Sequence, residues 1–155
     1  MSFNMKRGKL ELRKSNGSVQ TYFVDSNIFL ELQLDQEYAD DCEHFLTKVK
    51  DGSIKAVTTD FHIDSILVIM ENYGKKPSEI RVFLSSLLGY KGLRIYFLSI
   101  LDRIMATKYM EKFNLDLDDA LAYCTMRKFR INAIVSYDKH FDKLEDVVRL
   151  EPDQL

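Results

Sequence analysis

The chain contains few residues that would break or cross-link it. Its only two cysteines, Cys42 and Cys124, sit apart in apolar helical pattern and form no CxxC pair. They read as small hydrophobes in a reducing compartment rather than as a zinc site or disulfide framework. Tryptophan is absent, and two Pro and six Gly leave room for only a few interruptions, so long continuous elements are expected. No run approaches the roughly 18–20 apolar residues of a membrane span. Met1–Lys14 holds Lys6, Arg7, Lys9, Arg13 and Lys14 without an apolar stretch, so no signal peptide is read and a cytoplasmic protein is expected. Excess positive charge is lacking too: 22 basic and 24 acidic side chains give a net charge of −2. Proteins that coat nucleic acid by neutralising phosphates are usually basic. Any nucleic-acid contact here is therefore local, or made through a cation at an acidic site.

Hydrophobic residues make up 46% and charged residues 30% of the 155 positions, enough for one domain with a real core. Residues 1–20 form a polar, basic extension, in which alternating Leu10 and Leu12 and the Asn16-Gly17 pair predict a short extra strand. The domain proper runs over 21–155. Short apolar runs at 21–24, 55–58, 93–97, 132–136 and 147–150 read as strands. Between them the periodicity predicts helices over 28–32, 37–50, 60–73, 77–88, 99–113 and 116–129, with a short turn at 140–144. Buried strands alternating with helices imply a mainly parallel central sheet in a three-layer α/β/α sandwich.

In open α/β sheets the working groups collect beyond the carboxyl ends of the strands. Asp25 follows Tyr22-Phe23-Val24, and Asp138 follows Ile134-Val135-Ser136 closely. Asp119 lies in the first turn of the helix opening at Asp116, where a helix N-terminus favours negative charge by about 0.3–1 kcal/mol. One of the three aspartates in that turn is expected to be a cap. Carboxylates gathered at one sheet edge repel each other, and a hard divalent cation such as Mg²⁺ or Mn²⁺ relieves the repulsion. Such a site can hold a phosphodiester and activate water for in-line attack. Lys139, His140 and Lys143 near Asp138 read either as phosphate contacts or as a solvated face. His44, His62 and His140 are scattered and pair with no other histidine, though His62 lies near Asp64.

Two segments carry a family resemblance. TYFVDSNIFLE resembles the opening motif of PIN domains, and LDLDDALAYCTMRKFRINAIVSYDKHFDKL resembles their closing half. VVRLEP is similar to their last strand, so the likeness runs from about Thr21 to Pro152. It implies metal-binding and catalytic roles for Asp25, Asp119 and Asp138, with Asp142 as a further acid. Ser26, Asn27 and Ser136 then support the first acid. The second motif departs from the family: TTDFHIDSILVIM places Ser65 where a Glu is usual, with Asp64 one position before it. Neighbouring helix positions point about 100° apart, so Asp64 substitutes if the helix is slightly rotated; Asp60 is a further candidate that reads as a cap.

The resemblance implies a Mg²⁺- or Mn²⁺-dependent endoribonuclease like the VapC toxins, acting on RNA, with an antitoxin partner and a homodimeric state. The run Ile80–Leu88, with Phe83, Leu84, Leu87 and Leu88, exceeds what one helix buries inside such a domain. Ser65 favours an alternative, a catalytically silent PIN-like protein that binds RNA or a protein. A haloacid-dehalogenase-like phosphatase is a third reading, from Asp25-x-Asn27 after a first strand, although that family carries Asp where this chain has Asn27.

Overall fold

The computed structural model describes residues 20–155. The extra strand expected within 1–20, with its Asn16-Gly17 turn, lies outside them. Five parallel strands, β1 (Thr21–Val24), β2 (Lys55–Thr59), β3 (Leu93–Tyr96), β4 (Ala133–Val135) and β5 (Val148–Leu150), form one sheet in the order β3-β2-β1-β4-β5. Among the described residues six α-helices flank it: α1 (Ser26–Gln33), α2 (Ala39–Asp51), α3 (Asp60–Asn72), α4 (Pro77–Leu87), α5 (Ile100–Phe113) and α6 (Leu117–Phe129). The expected three-layer α/β/α architecture is the one observed.

Strand side chains alternate between the two faces. Phe23, Val57 and Ile134 point into a core completed by Ala106 of α5 and by Ala120, Leu121 and Met126 of α6. Val24, Ala56 and Val135 point the other way, into a core filled by α1 to α4 through residues such as Phe29, Phe45, Ile66 and Phe83. Cys42 and Cys124 are buried free thiols, as their apolar surroundings imply.

Local chemistry accounts for the boundaries. α1 begins at Ser26, earlier than periodicity alone suggests, because the Asp25 side chain accepts a hydrogen bond from Ser26 N at 2.8 Å and caps the helix. Thr59 caps α3, Ser99 caps α5 and Asp116 caps α6, each accepting from a backbone N–H of the first turn. β3 stops at Tyr96 because Phe97 turns out of the sheet and is 75% exposed. The chain runs outward from β1 to β2 to β3, then crosses back to β4 on the other side of β1. The strand order therefore reverses between β1 and β4, and the crevice beyond their carboxyl ends is where such folds bind ligands.

Candidate metal centre

Asp25 and Ser136 follow directly on the two strands that frame this crevice. Asp25 is 3% exposed and held on three sides. Ser26 N donates to its Oδ1, Ser136 Oγ donates to its Oδ2 at 2.6 Å, and Asn27 Nδ2 approaches the same oxygen at 3.3 Å. Ser136 Oγ in turn accepts from Asp138 N at 3.0 Å and from Asn27 Nδ2 at 3.2 Å. One buried hydroxyl thus ties the ends of β1 and β4 together and fixes where Asp25 and Asp138 stand. Burial pushes the Asp25 carboxyl above its ordinary value, and the nearby Asp118 carboxylate adds to this. The hydrogen bonds from Ser136 and Ser26 oppose the shift, as a positive charge on His62 would.

The N-terminus of α6 brings the second group. Asp116 is the expected cap, accepting from Asp119 N at 2.9 Å. Asp119 is 1% exposed, yet its Oδ2 has no hydrogen-bond donor. His140 Nδ1 comes within 3.4 Å of that oxygen without hydrogen-bond alignment, and lies 3.2 Å from Asp138 Oδ1. Burial, followed by the carboxylates of Asp138, Asp116, Asp25 and Asp118, pushes the Asp119 carboxyl up to about 8.

Asp102 shows what a purely structural buried acid looks like in the same chain. It is 8% exposed, but accepts from Tyr96 Oη at 2.7 Å and Ser99 N at 2.9 Å and pairs with Lys128 at 3.4 Å. Asp102 is satisfied by protein and Asp119 is not. A buried carboxylate oxygen without a donor, crowded by four other acids, is costly in a bare protein. The oxygen-rich donor set around it is the kind that divalent cations take, so the residues fit a metal centre.

The other sequence candidates fall in different places. Asp142 sits in the short 3-10 turn after β4 and pairs with Arg149, whose guanidinium also donates to the Ser136 carbonyl. Asp60 accepts from Leu98 N at 2.8 Å, two residues beyond the end of β3, and Thr59, not Asp60, caps α3. Asp64 is exposed and lines a depression with Ile63, Leu84, Leu88 and Phe97. Ser65, half-buried, follows one helical step later. The α3 side chain in contact with the acids is instead His62. It is fully buried, with Nδ1 2.5 Å from Thr59 Oγ1 and Nε2 3.0 Å from Asp118 Oδ1. Ligand atoms of Asp25, His62 and Asp118 lie within 4.8 Å of one another, as do those of Asp116, Asp119 and His140. His62 and Asp118 carried no pairing signal in the sequence, because 56 positions' worth of chain separates two residues that meet only through the crossover. Lys143 donates to the Asn114 carbonyl, whereas His140 faces Asp119 and Asp138.

The sequence profile of the PIN domain matches residues 22–147. The chain belongs to the PIN-domain family. No curated protein matches it. Among solved structures it is similar to VapC20 of Mycobacterium tuberculosis, a toxin that cleaves the sarcin-ricin loop. That likeness has 14% identity and a TM-score of 0.65, covering 78% of this chain and 92% of that one. VapBC2 of Rickettsia felis, bound to a DNA fragment from its promoter, aligns with 13% identity and a TM-score of 0.64 over 85% and 98% of the two chains. A toxin–antitoxin complex from Klebsiella pneumoniae aligns with 16% identity and a TM-score of 0.59 over 82% and 95%. At these identities the likeness establishes a shared fold. Within this PIN domain Asp25 follows β1, Asp116, Asp118 and Asp119 gather at the start of α6 with Asp138 after β4, and α3 presents the imidazole of His62. The phosphatase reading gives way to family membership: the residue that would have to be its second aspartate, Asn27, is an amide donating to Asp25 and Ser136.

Proposed function

We propose that this PIN domain is a Mg²⁺- or Mn²⁺-dependent endoribonuclease, and that it is the toxin half of a toxin–antitoxin pair. The observation that carries the reading is Asp119, a buried carboxylate with an orphaned oxygen, set among Asp25, Asp116, Asp118 and Asp138. Asp25, Asp119 and Asp138 hold the cation. Ser26, Asn27 and Ser136 keep Asp25 oriented through the hydrogen bonds described above. Asp142 completes the set only by releasing Arg149, and Asp64 or Ser65 only by a rotation of α3. A bound divalent cation supplies charge that neutralises a phosphodiester and eases deprotonation of water at neutral pH. His140, 66% exposed beside Asp119 and Asp138, stands where an approaching phosphate would meet it.

Two features support the partner assignments. The similar folds named above include toxin–antitoxin complexes. The chain also exposes apolar side chains, including Leu88, Phe97, Ile100 and Leu101, beyond what a lone domain needs to show water. An antitoxin segment and a second copy of the chain are the proposed occupants.

The test is cleavage of a mixed RNA panel with Mn²⁺ or Mg²⁺, with and without EDTA. The wild type is compared with Asp25→Asn and Asp119→Asn. We expect cleavage that EDTA abolishes and that each variant lowers by at least about 100-fold, the usual scale for losing a group that acts on the transition state. Equal cleavage by Asp119→Asn would sink the assignment of that residue. No cleavage by folded, partner-free protein would favour the second reading, a silent PIN-like binder of RNA or protein, which Ser65 supports.

A further inference from the structure

Two buried polar atoms of the site face each other at ion-pair distance but without hydrogen-bond alignment. His62 Nε2 and Asp118 Oδ1 are 3.0 Å apart, shielded from solvent, and neither has a hydrogen-bond partner. The side chain of His62 is 0% exposed, so bulk solvent does not reach it. Its ring is held firmly: Nδ1 is 2.5 Å from Thr59 Oγ1, and the Phe23 and Phe61 rings pack on it edge-to-face at 5.1 and 5.7 Å. If Nε2 carried the ring proton, that N–H would point at no acceptor, a costly arrangement for a buried donor. The consistent tautomer has Nδ1–H donating to Thr59 Oγ1 and a lone pair on Nε2. In this neutral ring the lone pair and a carboxylate oxygen 3.0 Å away repel each other unless a cation bridges them. Two donors each about 2.1 Å from one cation, at right angles, stand about 3.0 Å apart.

We propose that His62 is a nitrogen ligand of a cation site formed with Asp25 and Asp118, and that the imidazole turns this site towards transition-metal cations and away from Mg²⁺. This rests on the reading of the crevice as a metal centre, but assigns the α3 position to an imidazole rather than a carboxylate. Imidazole nitrogen suits Mn²⁺, Co²⁺ and Zn²⁺, whereas Mg²⁺ prefers oxygen and keeps its waters. Thr59 plays the part that an outer partner plays for most metal-bound histidines: it accepts the other ring N–H and fixes the tautomer. The same threonine caps α3, accepting from His62 N at 3.2 Å, so ring orientation and helix start are set by one hydroxyl.

The experiment is metal binding to the purified full chain, followed by calorimetry with Mg²⁺ and with Mn²⁺. It is joined to pulsed EPR of the Mn²⁺-loaded protein, which detects a directly bound ¹⁴N nucleus. Wild type, His62→Gln and His140→Gln are compared, and RNA cleavage is measured on the same samples. We expect Mn²⁺ to bind at least about 10-fold more tightly than Mg²⁺. A ¹⁴N signal should be present in wild type and His140→Gln and absent in His62→Gln, whose Mn²⁺ affinity falls by about 10–100-fold. Bound Mn²⁺ without ¹⁴N coupling, or a signal that vanishes in His140→Gln instead, overturns the proposal. If His62→Gln does not fold, the wild-type signal and its survival in His140→Gln and His44→Gln decide. ¹⁴N coupling without RNA cleavage upholds the ligand and overturns the nuclease. Cleavage with Mn²⁺ held only by oxygen does the reverse, and a folded protein that binds neither metal overturns both.

Discussion

Asp119 is where the chemistry of single residues is most exposed to measurement. Its folded-state carboxyl is pushed up to about 8, chiefly by burial and then by the surrounding carboxylates, against about 3.9 in an unfolded chain. Below pH of about 4 both states hold the proton, and the group's contribution to stability is fully present. As pH rises, the unfolded chain ionises while the folded one keeps its proton, and that contribution is lost progressively until pH passes about 8. Asn cannot ionise, so in EDTA the Asp119→Asn variant should gain on wild type from pH 4 upward and level off beyond about 8. The gap should reach at least about 1.4 kcal/mol, the worth of one pKa unit. Urea melts at a series of pH values check this, and parallel curves for the two proteins would refute it. Asp102, buried but supplied with donors, has its carboxyl below the ordinary value despite burial, through Tyr96, Ser99 and Lys128. The difference between these two acids lies in their partners.

At the scale of elements, the site depends on how tightly the strand ends are set. Gly92 precedes β3 at a point where a Cβ would stand 2.2 Å from the Ile54 carbonyl oxygen and 2.7 Å from that of Val49. Its own N–H donates to the Val49 oxygen at 2.9 Å, and its carbonyl accepts from Ala56 N at 2.8 Å. The glycine is therefore the seam joining the end of α2 to β2 and β3. Backbone atoms cannot swing aside as a side-chain tip can. Gly92→Ala should cost about 3 kcal/mol, the upper end for overpacking, read as a fall in urea midpoint with an unchanged slope. A loss under about 1 kcal/mol would mean that the seam gives way easily. β2 carries Thr59 and so positions His62, which makes this a remote way to disturb the metal centre.

For the whole molecule, the open question is what covers its apolar exterior. Phe83 and Leu87 of α4 are buried, whereas Leu88 is 91% exposed, Phe97 75% and Leu101 77%. The expectation that Ile80–Leu88 holds more apolar surface than one helix buries is thus met by its outward residues and extended by α5, where Ile100, Ile104 and Met105 are also exposed. A homodimer through these exposed residues predicts a dimer in sedimentation at micromolar concentration. Leu88→Asp combined with Leu101→Asp should shift it to monomer without lowering the melting temperature of the separated chain. A wild-type monomer under those conditions would remove the dimer and leave the face to an antitoxin segment. No helix among the described residues is long and apolar enough to cross a membrane.

The sequence by itself determined the order of elements, the parallel sheet and the places of Asp25, Asp119 and Asp138. These follow from local causes: runs of apolar residues between helical periods, glycine and proline at the breaks, and acids next to strand ends. By resemblance it also led to the expectation that Ser65 stands where an acid is usual. Two things only the tertiary structure decided. The first is the state of each acid, since capping Asp116, orphaned Asp119 and partnered Asp102 are the same residue type near helix starts and differ only in what long-range packing brings against them. The second is the identity of the α3 side chain at the site. The resemblance pointed to Ser65, with Asp64 as its substitute, but α3 turns His62 inward against Asp118 of α6 and leaves Asp64 exposed. That orientation is set by the packing of α3 on the sheet and on its neighbouring helices, a sum over many contacts distant in the chain. No local pattern of residues encodes it.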